Sequence, residues 1–398
     1  VSPVSNSKPK VLVVGMLDSI HLARWLSQLV VAEFEILVTG TSPYRKIRRE
    51  LQELAERPDS NIRIAEIFPR AKLAGLRIFP ALAWIFDRLF QDRIRGYLLS
   101  RLIARSSPAL IHVNELQVAG YPTVRALDRL RDSAIPLWST NYGSEIVWYS
   151  KFASHKNRLS ALLQRSSFFS AECKRDSVLA TQLGFRGIVF PTYPVSGGIE
   201  PLKSMTPSSH RTKIAVKGYD NKWGMGSEAL RATWLAVERQ TEREIEIVAF
   251  SCNRPTLRQA RALNGAGRTR IVTYPKGALS HTEMIALFSN SLAYVGASRS
   301  DGISTSVIEA MSAGAFPIQT DSSCSSEWLS HNQTGYLVPA GAPETIEEAV
   351  AGVLAGKYDL EESRRANARK LLEKADPTKL RDLSINSYRQ ALKGSTTS

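Results

Sequence analysis

Short apolar runs alternate with stretches of helical periodicity along almost the whole chain, and they do so in two blocks. The first block opens with KVLVVG at residues 10–15, followed by a loop and a helical pattern over 21–31. Strand-like runs follow at 35–39, 62–65, 109–113 and 136–140, with weaker ones at 167–171 and 187–190. Runs this short, separated by helix-length segments, predict parallel strands joined by helical crossovers. A parallel sheet must be covered on both faces, so the block predicts a doubly wound α/β layer structure. Residues 191–210, PTYPVSGGIEPLKSMTPSSH, then concentrate proline, glycine and serine as a linker does. After them the pattern restarts, with strands expected at 213–216, 245–250, 269–273, 292–295, 315–319 and 335–338. Helices are expected at 225–240, from 256, at 282–289 and at 305–313, and two more at 361–373 and 378–393 close the chain.

A chain of 398 residues exceeds what one hydrophobic core usually serves, which agrees with two blocks. The reading therefore divides it into a lobe at 1–195, a linker at 196–210, a second lobe at 211–375 and a helix with tail at 376–398. Two Rossmann-like lobes facing across a cleft are expected to seat ligands at the carboxyl ends of their strands, with the last helix crossing back onto the first lobe.

The net charge of +15 calls for an anionic partner. Residues 70–105 hold eight arginines and lysines against Asp87 and Asp92, interleaved at helical spacing with residues such as Phe79, Trp84, Phe86, Phe90 and Tyr97. That pattern suits a helix lying on an anionic membrane surface, and equally a basic amphipathic pair packed on its own domain. Nucleic acid is the poorer match, since it calls for an exposed aromatic and basic face and no ligand cradle. The first residues, VSPVSNSKPK, lack the apolar core of a secretion signal, and the three cysteines show no CxxC pair or metal-ligand spacing. A cytoplasmic protein, held peripherally at the inner face of the plasma membrane, is the expectation.

The chemistry is concentrated in VGASRSDGISTSVIEAMSAGAFPIQT. Here a strand ends in small polar residues, a loop carries Asp301 and Gly302, and a helix begins around Ser304 or Thr305. Backbone N–H groups and the helix dipole at such a start favour an anion such as a diphosphate. Asp301 in the loop and Glu309 about one turn into the helix each accept hydrogen bonds from vicinal hydroxyls. A diphosphate cradle with a carboxylate at each end matches a nucleotide sugar. Taken as structure alone, the same two acids cap a helix and pair with a base.

The segment resembles the E-x7-E region of the family 4 retaining glycosyltransferases, with Asp301 at the first glutamate, Glu309 at the second, and AMSAGAFPI continuing the pattern. KVLVVGMLDSIHLARW, PLWSTNYGSEI, VKGYDNKWG and NQTGYLVPAGAPETI resemble further family segments in the family's order across nearly the whole chain. The resemblance implies a GT-B fold and a bacterial polysaccharide or exopolysaccharide enzyme, of the kind that builds cyanobacterial heterocyst envelope polysaccharide. It implies transfer of a hexose, glucose first, from UDP-glucose to a saccharide or lipid-linked saccharide. GDP-mannose with mannosyl transfer, and a two-lobed sugar-nucleotide epimerase, stand as alternatives. By the same resemblance Glu309 holds ribose hydroxyls and Asp301 holds hydroxyls of the transferred sugar. Gly302, Ile303, Ser304, Thr305 and Ser306 cradle sugar and β-phosphate, and Lys217 and Lys222 neutralise the leaving diphosphate. Tyr274, Lys276 and Leu279, with Pro275 and Ala278, lie where the family seats the base.

The chain departs from the family at Thr140-Asn141-Tyr142, where many members carry a histidine. His21 and Glu145 are the candidates nearest to that role. No Asp-x-Asp occurs, so no metal and no cofactor is expected, and charge neutralisation falls to lysines and helix amides. The family retains anomeric configuration; with no well-placed nucleophilic carboxylate, front-face attack is favoured over a covalent intermediate.

Overall fold

The computed structural model describes residues 8–30, 32–42, 46–67, 90, 92–131, 134–203, 206–240 and 244–394. The sequence-predicted amphipathic stretch at 70–105 therefore lies outside the described residues over 70–89 and at 91, and the linker does so at 204–205. The chain divides into two compact units, residues 1–197 with 378–398, and residues 198–377.

In the first unit the strands are β1 (Lys10–Gly15), β2 (Glu35–Thr39), β3 (Ile62–Ile64), β4 (Leu110–Asn114), β5 (Leu137–Asn141), β6 (Phe168–Ala171) and β7 (Ile188–Val189). They form one parallel sheet in the order β3-β2-β1-β4-β5-β6-β7. The order reverses between β1 and β4, where Gly15 pairs with Asn114, and ligands of doubly wound sheets bind outside the carboxyl ends at such a reversal. The helices are α1 (Ile20–Ser27), α2 (Arg49–Glu56), α3 (Arg93–Ser106), α4 (Tyr121–Leu130), α5 (Ser144–Val147), α6 (Ala153–Arg165) and α7 (Lys174–Gln182). Strand residues Val11 and Val13 pack on one face with Trp25 and Leu26 of α1, while Leu12 and Val14 pack on the other with Leu99 and Ile103 of α3. This alternation follows from the two-residue period of a strand buried on both sides.

In the second unit β8 (Lys213–Lys217), β9 (Glu246–Cys252), β10 (Ile271–Pro275), β11 (Ser291–Gly296), β12 (Phe316–Thr320) and β13 (Tyr336–Val338) form a parallel sheet in the order β10-β9-β8-β11-β12-β13. Its helices are α8 (Gly226–Arg239), α9 (Arg254–Asn264), α10 (His281–Ser289), α11 (Thr305–Ser312), α12 (Thr345–Leu354) and α13 (Leu360–Lys374). The third strand starts two residues later than its apolar run suggests. The amide of Thr269 donates to Glu238 Oε2 at 2.9 Å, so a side chain of α8 takes the hydrogen bond that the ladder would have used. Pro275 ends that strand where the register shifts, a position that tolerates a missing N–H.

The last helix, α14 (Pro377–Gly394), belongs to the first unit, as the sequence led one to expect. Its fully buried Tyr388 is the hub: Trp25 Nε1 donates to Tyr388 Oη at 3.0 Å, and His112 Nδ1 lies 2.6 Å from the same oxygen. The other imidazole nitrogen lies 2.6 Å from Thr140 Oγ1. The ring stacks on Trp138 at 4.2 Å between centroids.

Candidate functional site

The second unit assembles its polar residues at the carboxyl ends of β8 and β11, adjacent strands at the point where the order reverses. The two loops leaving those strands are tied together through their backbones. Met225 N donates to Ala297 O at 3.0 Å and Arg299 N to Trp223 O at 2.6 Å. Asn221 tightens the first loop by accepting from Trp223 N at 2.9 Å and Gly224 N at 2.8 Å.

The start of α11 lies within this framework. Ser304 is its N-cap, yet the hydroxyl does not close on the first turn, and so does not serve the leading amides. It accepts a hydrogen bond from Lys217 Nζ at 2.9 Å. A cation thus stands beside a dipole end that favours anions, an arrangement able to receive negative charge. Ile303, 2 % exposed, holds the preceding loop by packing with Phe250, Tyr294 and Val307. Tyr294 is buried beneath the loop, and its hydroxyl donates to Gln319 Oε1 at 3.2 Å. Burial, foremost, pushes that phenol's pKa up, so it stays a neutral donor. Gly296 leaves the room for this pair: a Cβ there would stand 2.2 Å from Gln319 Oε1 and 2.3 Å from Tyr294 Oη.

Asp301 accepts from the amide of Gly302 at 2.9 Å, which fixes the loop bend and engages one of the amides expected to face the ligand. Thr305 and Ser306 are half-buried at the helix start. Glu309 is buried within α11, with Oε1 3.2 Å from His281 Nε2 at the start of α10. Lys222 is seated over the Trp223 ring, 4.1 Å from its centroid, and Lys276 lies 5.7 Å from the Tyr219 ring centroid. Tyr274 falls within β10, and Leu279 packs against the apolar cluster that contains Ile303, next to α11. Lys217, Ser304, Ile303, Leu279 and Glu309 are thereby gathered around one helix.

The first unit gathers a second group. The rings of His21 and Tyr142 lie 5.9 Å apart, and Tyr142 N donates to Glu145 Oε2 at 3.0 Å. Glu145 is buried near Glu115; desolvation first, and then the Glu115 charge, hold its carboxyl well above the usual range. Glu115 escaped the sequence reading. Its backbone sits at φ 104°, and its carboxylate accepts from the amides of Gln117 at 2.9 Å, Ala119 at 3.1 Å and Val118, at the mouth of the π-turn Leu116–Gly120. An acid directly after an apolar strand was the available signal, but the turn it caps has no sequence signature. Asn114, fully buried at the end of β4, has neither amide atom hydrogen-bonded among the described residues, and the same holds for the Tyr142 hydroxyl. Buried polar groups of this kind are ordinarily paired, so this edge has hydrogen bonds to give.

Residues 269–371, from the approach to β10 into α13, match the family model of Glycosyl transferases group 1. No curated protein matches the chain. Among solved structures, HepE of Anabaena in complex with UDP and glucose is similar with a TM-score of 0.68 at 11% identity, over 96% of this chain and 100% of that one. Sucrose-phosphate synthase of Thermosynechococcus elongatus gives 0.71 at 13% identity, over 97% and 100%. A UDP-forming α,α-trehalose-phosphate synthase of Burkholderia vietnamiensis gives 0.67 at 13% identity, over 97% and 100%. At such identities the likeness speaks for the fold: two Rossmann-like units of the GT-B kind, with the family match lying in the second.

Proposed function

We propose that this chain transfers a hexose from a nucleotide sugar to a saccharide acceptor, with retention and without a metal ion, and that UDP-glucose is the donor. The observation that carries the reading is the start of α11, where Lys217 reaches an uncapped Ser304 and Glu309 is buried one turn on, inside the segment that matches the family model. HepE is described in complex with UDP-glucose as well as with UDP and glucose, which favours the uracil base and glucose.

In this reading the diphosphate lies on the α11 amides with Lys217 beside it, and Glu309 receives the ribose hydroxyls. Asp301 receives hydroxyls of the sugar. As the bond from the anomeric carbon to the β-phosphate oxygen breaks, charge grows on the phosphate, and a preplaced ammonium lowers the barrier. The acceptor hydroxyl attacks the anomeric carbon from the same face and gives its proton to the departing phosphate oxygen. His21, Tyr142 and Glu145 are the acceptor-side candidates of the first unit. The chain carries no Asp-x-Asp pair to hold a divalent ion on the diphosphate, which assigns neutralisation to Lys217 and the helix.

An acceptor on an anionic lipid surface completes the reading. No helix among the described residues is long and apolar enough to cross a membrane. On the described part of the basic stretch, Phe90, Ile94 and Tyr97 are exposed beside Arg93 and Arg101. That is the side-chain mix of an interfacial helix. Replacing Arg93 and Arg101 together by glutamate should abolish sedimentation with phosphatidylglycerol vesicles; unaltered sedimentation removes the membrane part.

The donor reading is tested by thermal unfolding with UDP, GDP, ADP and their sugars, since a ligand of the native state raises its stability with concentration. A selective rise with UDP and UDP-glucose is expected. A rise with GDP-mannose instead makes the chain a mannosyltransferase, and conversion of the donor into another sugar nucleotide without acceptor makes it an epimerase. No rise with any of them refutes the donor site.

A further inference from the structure

Glu309 has a neighbour that the donor reading leaves unused. His281 Nε2 stands 3.2 Å from Glu309 Oε1, with the imidazole about half exposed and the carboxylate nearly buried. The histidine is the first residue of α10, and its backbone is held in place by a closed capping box. Ser280 N donates to Glu283 Oε2 at 2.7 Å, and Glu283 N donates to Ser280 Oγ at 3.3 Å. Helix α10 packs against α11, so the two side chains meet across neighbouring helices, with one end of the contact fixed by the box.

A glutamate has three side-chain torsions, and the plane of its carboxylate is free unless something holds an oxygen. An imidazole nitrogen 3.2 Å from Oε1 restricts that plane, so the carboxylate meets incoming hydroxyl groups in one orientation. Ordering before the ligand arrives removes an entropic cost from binding. We propose that His281 is a positioning residue: it orients the Glu309 carboxylate to receive the vicinal 2′- and 3′-hydroxyls of the donor's ribose. The proposal deepens the donor-site reading above and rests on it. His281 touches no part of the ligand itself; it acts through Glu309, and its contribution is confined to ligands that have both ribose hydroxyls.

The experiment is calorimetric titration of UDP and of 2′-deoxy-UDP into the full chain and into His281→Ala, His281→Gln, Glu309→Ala and the double variant His281→Ala/Glu309→Ala. His281→Ala is expected to weaken UDP roughly fivefold, the worth of one partly exposed imidazole–carboxylate contact, and 2′-deoxy-UDP less than about twofold. His281→Gln, which keeps a donor on a side chain of similar reach, should recover most of the loss. In the Glu309→Ala background His281→Ala should add nothing further, because the route through the carboxylate is gone. Equal weakening of both nucleotides, or the same loss with Glu309 absent, overturns the proposal and leaves the donor site standing. Undiminished UDP binding by Glu309→Ala overturns the donor-site reading, and the proposal with it.

Discussion

The buried imidazole under the C-terminal helix should make the first unit labile to acid by an amount that can be worked out. His112 is fully buried between Tyr388 and Thr140, 2.6 Å from each, and burial lowers its pKa to about 3. In the unfolded chain the group titrates at about 6.5. Above that pH the imidazole is neutral in both states, and the difference costs nothing. Below it the unfolded chain takes up a proton that the folded chain refuses down to about pH 3, so stability falls as pH falls through this window. Between pH 7 and pH 5 the integrated loss is ~2 kcal/mol, from 1.36 kcal/mol per pK unit of differential protonation. The assay is denaturant unfolding at the two pH values, followed by tryptophan fluorescence, because Trp138 stacks on the imidazole and Trp25 meets its edge at 5.5 Å. The comparison is His112→Asn, which is uncharged throughout and is expected to start roughly 1–3 kcal/mol less stable at pH 7 from weakened hydrogen bonds. Carboxylates that titrate nearby contribute to both proteins alike, so the difference in slope isolates the histidine. If wild type and His112→Asn lose the same stability between pH 7 and pH 5, the imidazole is not the acid-sensitive element and the reasoning fails.

Lys217→Met should lower kcat by about 10²–10³, as removal of a preplaced charge stabiliser does elsewhere, while leaving the melting temperature near that of the wild type. Lys222→Met, whose ammonium is already stacked on Trp223, should cost less than Lys217→Met in the same transferase assay; the reverse order would move the phosphate contact into the loop. Gly296→Ala forces a methyl against the Gln319–Tyr294 hydrogen bond and should destabilise the second unit by ~1–3 kcal/mol in thermal unfolding. Arg211→Met withdraws hydrogen bonds from the carbonyls of Thr206, Ser291 and Gly314 and should cost roughly 3 kcal/mol, about 1 per bond, read by denaturant unfolding of the second unit.

The repeating strand and helix pattern by itself determined that the chain makes two parallel α/β sheets, because apolar runs that must be buried on both faces leave few other solutions. The pattern also placed α11 and the residues around its start, since a glycine-bearing loop before an apolar helix is a local signal. Strand ends were less legible: the start of β10 is set by a carboxylate of α8 that is distant in sequence. The same limit applied to the site. The family resemblance named Lys217 and Lys222 together, but only tertiary packing decided that Lys217 reaches Ser304 while Lys222 is seated on Trp223. His281 and Glu115 were invisible, because one matters through a neighbouring helix and the other through a turn of its own backbone. Local periodicity is written in consecutive residues and can be read there. The direction of a charged side chain is settled by what the folded chain places opposite it, and that was decided only by the sheet order bringing β8 beside β11.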